Sequence, residues 1–122
     1  MIYIPGNVPS SKNSKQWTGR RLIDSKTTRR YREHTELIYK LKAKEFHELT
    51  EGLEPPYSVT FQFIRDSKRR FDYHNAVQIV ADMMVKYGWI EDDNADYFVP
   101  VFLPYEYKKN DGGVYIGINK KS

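Results

Sequence analysis

Residues 69–97 read RRFDYHNAVQIVADMMVKYGWIEDDNADY, and this stretch decides how the rest of the chain is arranged. Over residues 75–87 the apolar side chains recur at spacings of three and four, which predicts a helix with one buried face. Asp72 stands just ahead of this run as a candidate N-cap. Gly88 follows it, where a left-handed residue after a helix favours glycine.

Charges of both signs flank this predicted helix. The basic run 68–70 precedes Asp72, and the acidic run 91–93 follows the helix. A helix of roughly 14 residues is about 20 Å long, so a tight return can bring a later acid back beside its start. Gathered carboxylates suit Mg²⁺ or Mn²⁺, and cations beside them suit a phosphodiester. The sequence therefore predicts a metal site that acts on DNA or RNA, with a helix cap and a solvated turn as the alternative.

The same residues are similar to a known family. The chain resembles the RusA-type Holliday junction resolvases, which are small Mg²⁺-dependent endonucleases with a pattern of roughly R-x-D-x-D-N, then F-D-A-L, then G-x-W-x-D-D. The corresponding segments here are 70–75, 81–84 and 88–93, with the tryptophan of the last turn one place early. Residues 5–6 and 9–13 are similar to the opening loop of that family.

The resemblance implies roles for seven residues. The catalytic residues, which also hold the metal, are Asp72, His74 and Asp93. The residues that support them are Asn75, Gln78, Asp82 and Asp92. Two of these depart from the family, because His74 replaces its second aspartate and Gln78 its helix lysine. A histidine shifts metal preference from Mg²⁺ toward Mn²⁺, and a glutamine cannot neutralise developing charge. We expect lower activity, with Arg69 or Arg70 as the replacement cation.

These departures leave two other functions open. One is a catalytically impaired module that binds DNA junctions without cutting them. The other is a protein that binds RNA or single strands through its tyrosines and basic segment. The first is motivated by His74 and Gln78, and the second by the ten tyrosines of the chain.

Basic residues are concentrated between positions 12 and 32, where Asp24 is the only acid. Such a segment is suited to phosphate contacts, and Trp17 or Tyr31 is available to stack on an unpaired base. The alternative is a solvated loop and helix face. The residues predicted to contact DNA, from this segment and from the basic run, are Lys12, Lys15, Arg20, Arg21, Arg29, Arg30, Lys68, Arg69 and Arg70.

Composition limits the class of protein. With 122 residues the chain has room for one domain, which we place at 1–122, and its net charge of +4 fits a polyanionic partner. The absence of cysteine excludes disulfides, thiolate metal sites and a cysteine nucleophile. The first residues lack the pattern of a signal peptide, and no apolar run approaches membrane length. We expect a cytoplasmic protein with no membrane partner.

The remaining segments predict a mixed β-sheet packed by two helices, an α+β domain. Residues 7–19 are mostly polar and predict a long loop. A helix is predicted from a cap at Asp24 or Ser25 to about Leu49, with an apolar stripe of Ile38, Leu41, Phe46 and Leu49 and with Tyr31 and Leu37 near it. Strands are predicted at 2–4, 21–23, 57–64, within 96–107, and at 114–118 after a hairpin turn at 110–113. The resemblance implies the same fold and adds a homodimer, because a four-way junction has two strands to cut symmetrically.

Overall fold

A computed structural model describes residues 1–10, 15–17 and 22–119, giving the backbone alone at 15–17 and 22–24. Two helices are present in this part of the chain, α1 (Lys26–Leu49) and α2 (Tyr73–Lys86). The strands are β1 (Ile2–Pro5), β2 (Lys15–Trp17), β3 (Leu22–Asp24), β4 (Tyr57–Arg65), β5 (Phe98–Phe102), β6 (Glu106–Tyr107) and β7 (Gly113–Ile118). The main sheet has the order β1-β7-β4-β5, with β6 also paired to β4, while β2 pairs only with β3. The predicted α+β fold with a mixed sheet is confirmed.

The central strand β4 organises the main sheet. Its alternating residues Val59, Phe61 and Phe63 are buried. The neighbouring β7 runs antiparallel to it, whereas β5 and β6 run parallel. Parallel neighbours need a crossover connection, and α2 provides the one between β4 and β5. The helix therefore starts beside the carboxyl end of β4, and the chain returns to the other end, where Tyr57 N–H donates to Tyr97 O at 2.9 Å.

The helices cover one face of the sheet. Ile4 and Val114 are register partners, and Val114 is in turn paired with Phe63, so these buried side chains share a face. Between the two helices, the Trp89 indole packs 5.2 Å from the Phe46 ring and donates a hydrogen bond of 2.7 Å to a carbonyl of α1. Neither helix has the length and apolar character that a membrane span requires.

The buried stripe of α1 agrees with the predicted one only in part. Phe46 is buried, and Ile38 and Leu49 pack partly buried against the core, whereas Leu41 and Leu37 are 67% and 62% exposed, so their assignment to the stripe was wrong. The buried positions are Thr28, Tyr31, Thr35, Tyr39 and Phe46. These positions also follow helical spacing, but their polar groups are bonded internally, as in the 2.8 Å contact between the hydroxyls of Tyr31 and Tyr39. Tyr31 is therefore unavailable for stacking on a base.

Strand pairing also departs from the predictions. The turn at 110–113 does not join a hairpin, because β6 and β7 flank opposite sides of β4 and both align with Ile64. Its Asn110 has a positive φ of 62°, so the turn chemistry was correctly predicted and the pairing was wrong. The predicted loop 7–19 contains β2, which carries no alternating apolar pattern by which it could have been predicted.

Candidate functional site

Asp72 caps α2 at the carboxyl end of β4. Its Oδ1 accepts hydrogen bonds from the backbone N–H groups of His74 at 2.9 Å and Asn75 at 3.4 Å. The predicted cap is confirmed, as is Gly88 beyond the helix, with a φ of +80°. Both capping bonds use the same oxygen of the half-buried carboxylate. Oδ2 is not needed to begin the helix and can serve a ligand.

The opening loop is fastened beside this cap. The Asn75 side-chain amide donates to Ser10 O at 3.2 Å, and the Arg65 guanidinium donates to Val8 O at 2.8 Å. Ser10 and Val8 are both buried. The two segments that resemble one family, the opening loop and the stretch 69–97, therefore meet at Asn75, in the first turn after Asp72.

Arg65 also lies at this site and was not among the predicted residues. It ends β4, is only 5% exposed, and lies with its guanidinium 4.7 Å from the centre of the Phe71 ring. Burial lowers the pKa of this group, and within the described part of the chain its Nε has no hydrogen-bond partner. The available signal was the alternation of β4, which places Arg65 on the same buried face as Val59, Phe61 and Phe63. Since it contacts both Val8 and Phe71, it fixes the segments on either side of the cap.

The basic run between β4 and Asp72 is open to solvent. Lys68, Arg69 and Arg70 are exposed, and Lys68 Nζ lies 5.1 Å from the centre of the Tyr107 ring. Arg29 and Arg30 are also exposed, near the start of α1. Of the other predicted DNA contacts, Lys12, Arg20 and Arg21 lie outside the described residues, as does the side chain of Lys15.

The acidic turn after α2 is shaped by its own side chains. Asp92 Oδ1 accepts from the Asp93 N–H at 2.7 Å, and Asp92 Oδ2 accepts from the Asn94 amide at 3.0 Å. Asn94 Oδ1 in turn accepts from the Asp96 N–H at 2.9 Å. Both oxygens of Asp92 therefore serve to hold the turn, which sets the position of the adjacent Asp93.

Asp93 belongs to a group of carboxylates that we call the acidic cluster: Asp82, Asp92 and Asp93. The pKa of Asp93 is raised, first by burial, then by its hydrogen bond to Asp92 and by the charges of Asp82 and Asp92. Asp82 projects from α2 and pairs with Arg32 of α1, with 3.2 Å between Oδ2 and the guanidinium nitrogen. Asp82 thus joins the two helices, and its charge also acts on Asp93 of the acidic turn.

Arg32 was counted in the basic segment but was not predicted to belong to the site. The signal for it was helical spacing, because position 32 is four residues from the buried Thr28 and three from the buried Thr35. An arginine on the inner face of a helix must meet a partner there. The structure supplies that partner as Asp82.

The predicted residues thus fall into two groups. Asp72, His74 and Asn75 lie at the start of α2, where His74 is exposed and its ring lies 6.5 Å from that of Phe102. The acidic cluster lies further along, and the exposed Gln78 stands one turn before Asp82 on the same face. Across the side chains that the structure describes, no group of three or more His, Asp or Glu is placed so that it could hold a metal ion.

The chain matches one known protein family over nearly all of its length. The family model for endodeoxyribonuclease RusA matches residues 5–119. No curated protein matches the chain. The matched range includes the opening loop, the Asp72 cap and the acidic cluster, so it extends well beyond the stretch 69–97 on which the resemblance was first based.

Proposed function

Because the chain belongs to the RusA endodeoxyribonuclease family, we propose that it resolves four-way DNA junctions by hydrolysing one phosphodiester in each of two opposed strands. The observation that supports this best is the arrangement of charge along α2. Exposed cations stand beside Asp72 at its start, and an acidic cluster containing Asp93 lies against its later turns. Cations can hold a DNA backbone while carboxylates serve the chemistry of hydrolysis.

DNA binding is assigned to the exposed basic residues. Lys68, Arg69 and Arg70 form one patch, and Arg29 and Arg30 form another near the start of α1. Each phosphate neutralised by such a residue releases counterions, so the affinity for DNA should fall steeply as salt rises. The predicted contacts outside the described residues would add to this slope.

A divalent metal ion, Mg²⁺ or Mn²⁺, is part of the proposal. Asp72, His74 and Asp93 would hold it, and when bound it polarises the phosphate and lowers the pKa of the attacking water. The donors are chemically suitable, since Oδ2 of Asp72 is not needed for the cap and Asp93 lies among carboxylates whose repulsion a cation would relieve. Among the described side chains, these three are not placed together in a way that could hold a metal ion. The assignment therefore depends on the family and on donor chemistry.

The other groups of the site have distinct roles. In hydrolysis a water oxygen bonds to phosphorus and gives up a proton, while the P–O bond to one sugar breaks and the departing sugar oxygen takes up a proton from solvent to become a hydroxyl. We assign the proton of the attacking water to the acidic turn, where Glu91 or Asp92 is the acceptor. Asp92 also orients Asp93 through the bonds within the turn. Arg32, held on Asp82, supplies positive charge close to the position where the family has a lysine and this chain has Gln78.

The proposal includes a homodimer. A four-way junction requires two cuts related by approximate two-fold symmetry, and a dimer with one site in each subunit would make both. A monomer would give single, uncoordinated nicks.

Incubation of the protein with a synthetic four-way junction and Mg²⁺ or Mn²⁺ tests this function. We expect paired nicks, and a loss of about 100-fold or more in cleavage rate in each of Asp72→Asn and Asp93→Asn, since a metal site supplies several kcal/mol. Junction binding should be retained in both. Glu51→Gln changes an exposed acid in the connection after α1 and is the matched control. Cleavage that survives both aspartate substitutions overturns the assignment.

A further inference from the structure

Two exposed tyrosines lie at the edge of the sheet nearest Asp72. Tyr105 is 43% exposed and Tyr107 is 44% exposed. The strand β6 pairs with the end of β4, aligning Tyr107 with Arg65. Register partners in a sheet share a face, so Tyr107 lies on the face that carries Arg65. Tyr105 comes just before β6 and reaches the same side, because its ring packs on Phe71, which the Arg65 guanidinium also contacts. Between them, Glu106 lies on the opposite face and accepts a hydrogen bond of 3.2 Å from Gln62.

Residues on either side of Asp72 hold Tyr105 in place. The hydroxyl of Tyr73 accepts from the Tyr105 N–H at 2.8 Å and donates to Leu103 O at 3.4 Å. The Tyr105 ring lies 5.3 Å from that of Phe71, which itself packs 4.9 Å from the Tyr73 ring. The position of Tyr105 is therefore tied directly to the residues before and after the proposed catalytic aspartate.

Positive charge adjoins the same surface. Lys68 Nζ lies over the Tyr107 ring at 5.1 Å, and Arg69 and Arg70 are exposed next to it in the chain. Aromatic rings for stacking, set beside cations for the backbone, are what proteins use to bind unpaired nucleotides. A paired duplex keeps its base faces covered by neighbouring bases. At a branch point the stacking is interrupted, and a base face can be reached.

We propose that Tyr105 and Tyr107, which we call the tyrosine platform, stack on an unstacked base at the branch point and so favour junctions over duplex DNA. The inference rests on the proposed function, because it takes branched DNA as the partner. It adds a recognition element that distinguishes one DNA structure from another. Since every base has a π-face, the platform selects for structure and tolerates any sequence.

Binding measurements without metal test the platform. In the double variant Tyr105→Leu with Tyr107→Leu, we expect affinity for a four-way junction to fall about 10-fold or more, since a base–aromatic stack is lost. Affinity for a linear duplex of the same length should stay within about twofold. Tyr115→Leu is the matched control, because Tyr115 is 38% exposed but packs 4.7 Å from Tyr3 on the other face of the sheet. Replacing both platform residues by Phe should preserve the junction preference.

A second measurement uses the unaltered protein, so it does not depend on the variants folding. A junction with 5-iododeoxyuridine at the branch point should photocross-link to the peptide that contains Tyr105 and Tyr107. Cross-links confined to other peptides overturn the platform, as does an equal loss of affinity for junction and duplex in a folded double variant. If the wild-type protein shows no junction preference, the proposed function fails. If it shows one that the folded double variant keeps, only the platform fails.

Discussion

The two ends of α2 place their carboxylates in opposite electrostatic settings. Asp72 accepts two backbone N–H bonds at the positive end of the helix and follows the exposed cations at 68–70. Asp93 lies among other carboxylates, and its pKa is raised by burial and by their charge. The first acid caps the helix and stabilises the fold, whereas the ionised form of the second, an exposed side chain, is disfavoured by the carboxylates around it. Folding alone accounts for Asp72, but the position of Asp93 calls for a functional explanation.

Making the start of α2 richer in charge should give the largest gain in activity. His74→Asp together with Gln78→Lys adds a carboxylate for a hard cation and a cation for developing charge. We expect the single-turnover rate of junction cleavage to rise about 10- to 100-fold in Mg²⁺, because one well-placed electrostatic group has an effect of this order. Each single substitution serves as a control. An unchanged rate in the double variant would mean that neither residue belongs to the reacting site.

The fold was predictable where the signals are local. The spacing of apolar residues in α2, the cap at Asp72 and the turn at Gly88 all lie within the segment that they organise. The pairing of β6 and β7 with opposite sides of β4 was not predictable from the turn at 110–113, because it depends on β4, more than 40 residues earlier. The burial of Thr28 and Thr35 was missed because internal hydrogen bonds, and not apolarity, allow it.

The candidate site was predictable in its acids and less so in its arginines. Asp72 and Asp93 stand in motifs of fixed spacing. Arg32 and Arg65 acquire their roles only through contacts between distant segments, with Asp82 in one case and with Val8 and Phe71 in the other. A single charged side chain does not contribute to the spacing of apolar residues from which helices and strands are predicted. Its role can be recognised only once its partner in the structure is known.

Removing each acid should shift stability in opposite directions. Asp72→Ala loses the helix cap and should lower the free energy of unfolding by about 1 kcal/mol. Asp72→Asn keeps a capping side chain and should stay close to the wild type. Asp93→Asn removes a charge from the acidic cluster and should raise the melting temperature at pH 7. Thermal unfolding of the three variants beside the wild type measures the contrast.

The pH dependence of the Asp93→Asn effect follows from the direction of the pKa shift. A carboxyl group whose pKa is raised on folding destabilises the native state above that pKa, and has no such effect below its unfolded value. The gain in melting temperature should therefore be complete at neutral pH and disappear as the pH falls toward 3.8, the ordinary value. A gain that grows on acidification, or a loss of stability at pH 7, would contradict the description of the acidic cluster.

The pair between Arg32 and Asp82 should have the smallest effect on stability while still affecting activity. Its two side chains are 20% and 37% exposed, and ion pairs in such settings contribute up to about 1 kcal/mol. A double-mutant cycle with Arg32→Gln and Asp82→Asn should give a coupling energy within that limit. If Arg32 also serves the site, Arg32→Gln should slow cleavage about 3- to 10-fold, since it removes the cation paired with Asp82 while the anionic phosphate must still approach.

Two further variants separate these roles of Arg32. Arg32→Lys keeps the positive charge and should retain most of the cleavage rate. Gln78→Lys, introduced into the Arg32→Gln variant, should restore cleavage, because it returns a cation to the same face of α2 one turn from Asp82. If cleavage is restored although the ion pair between Arg32 and Asp82 is still absent, the site requires the positive charge and not the link between the two helices. If Arg32→Gln cleaves at the wild-type rate, the pair only joins α1 to α2, and the positive charge for the reaction must come from elsewhere.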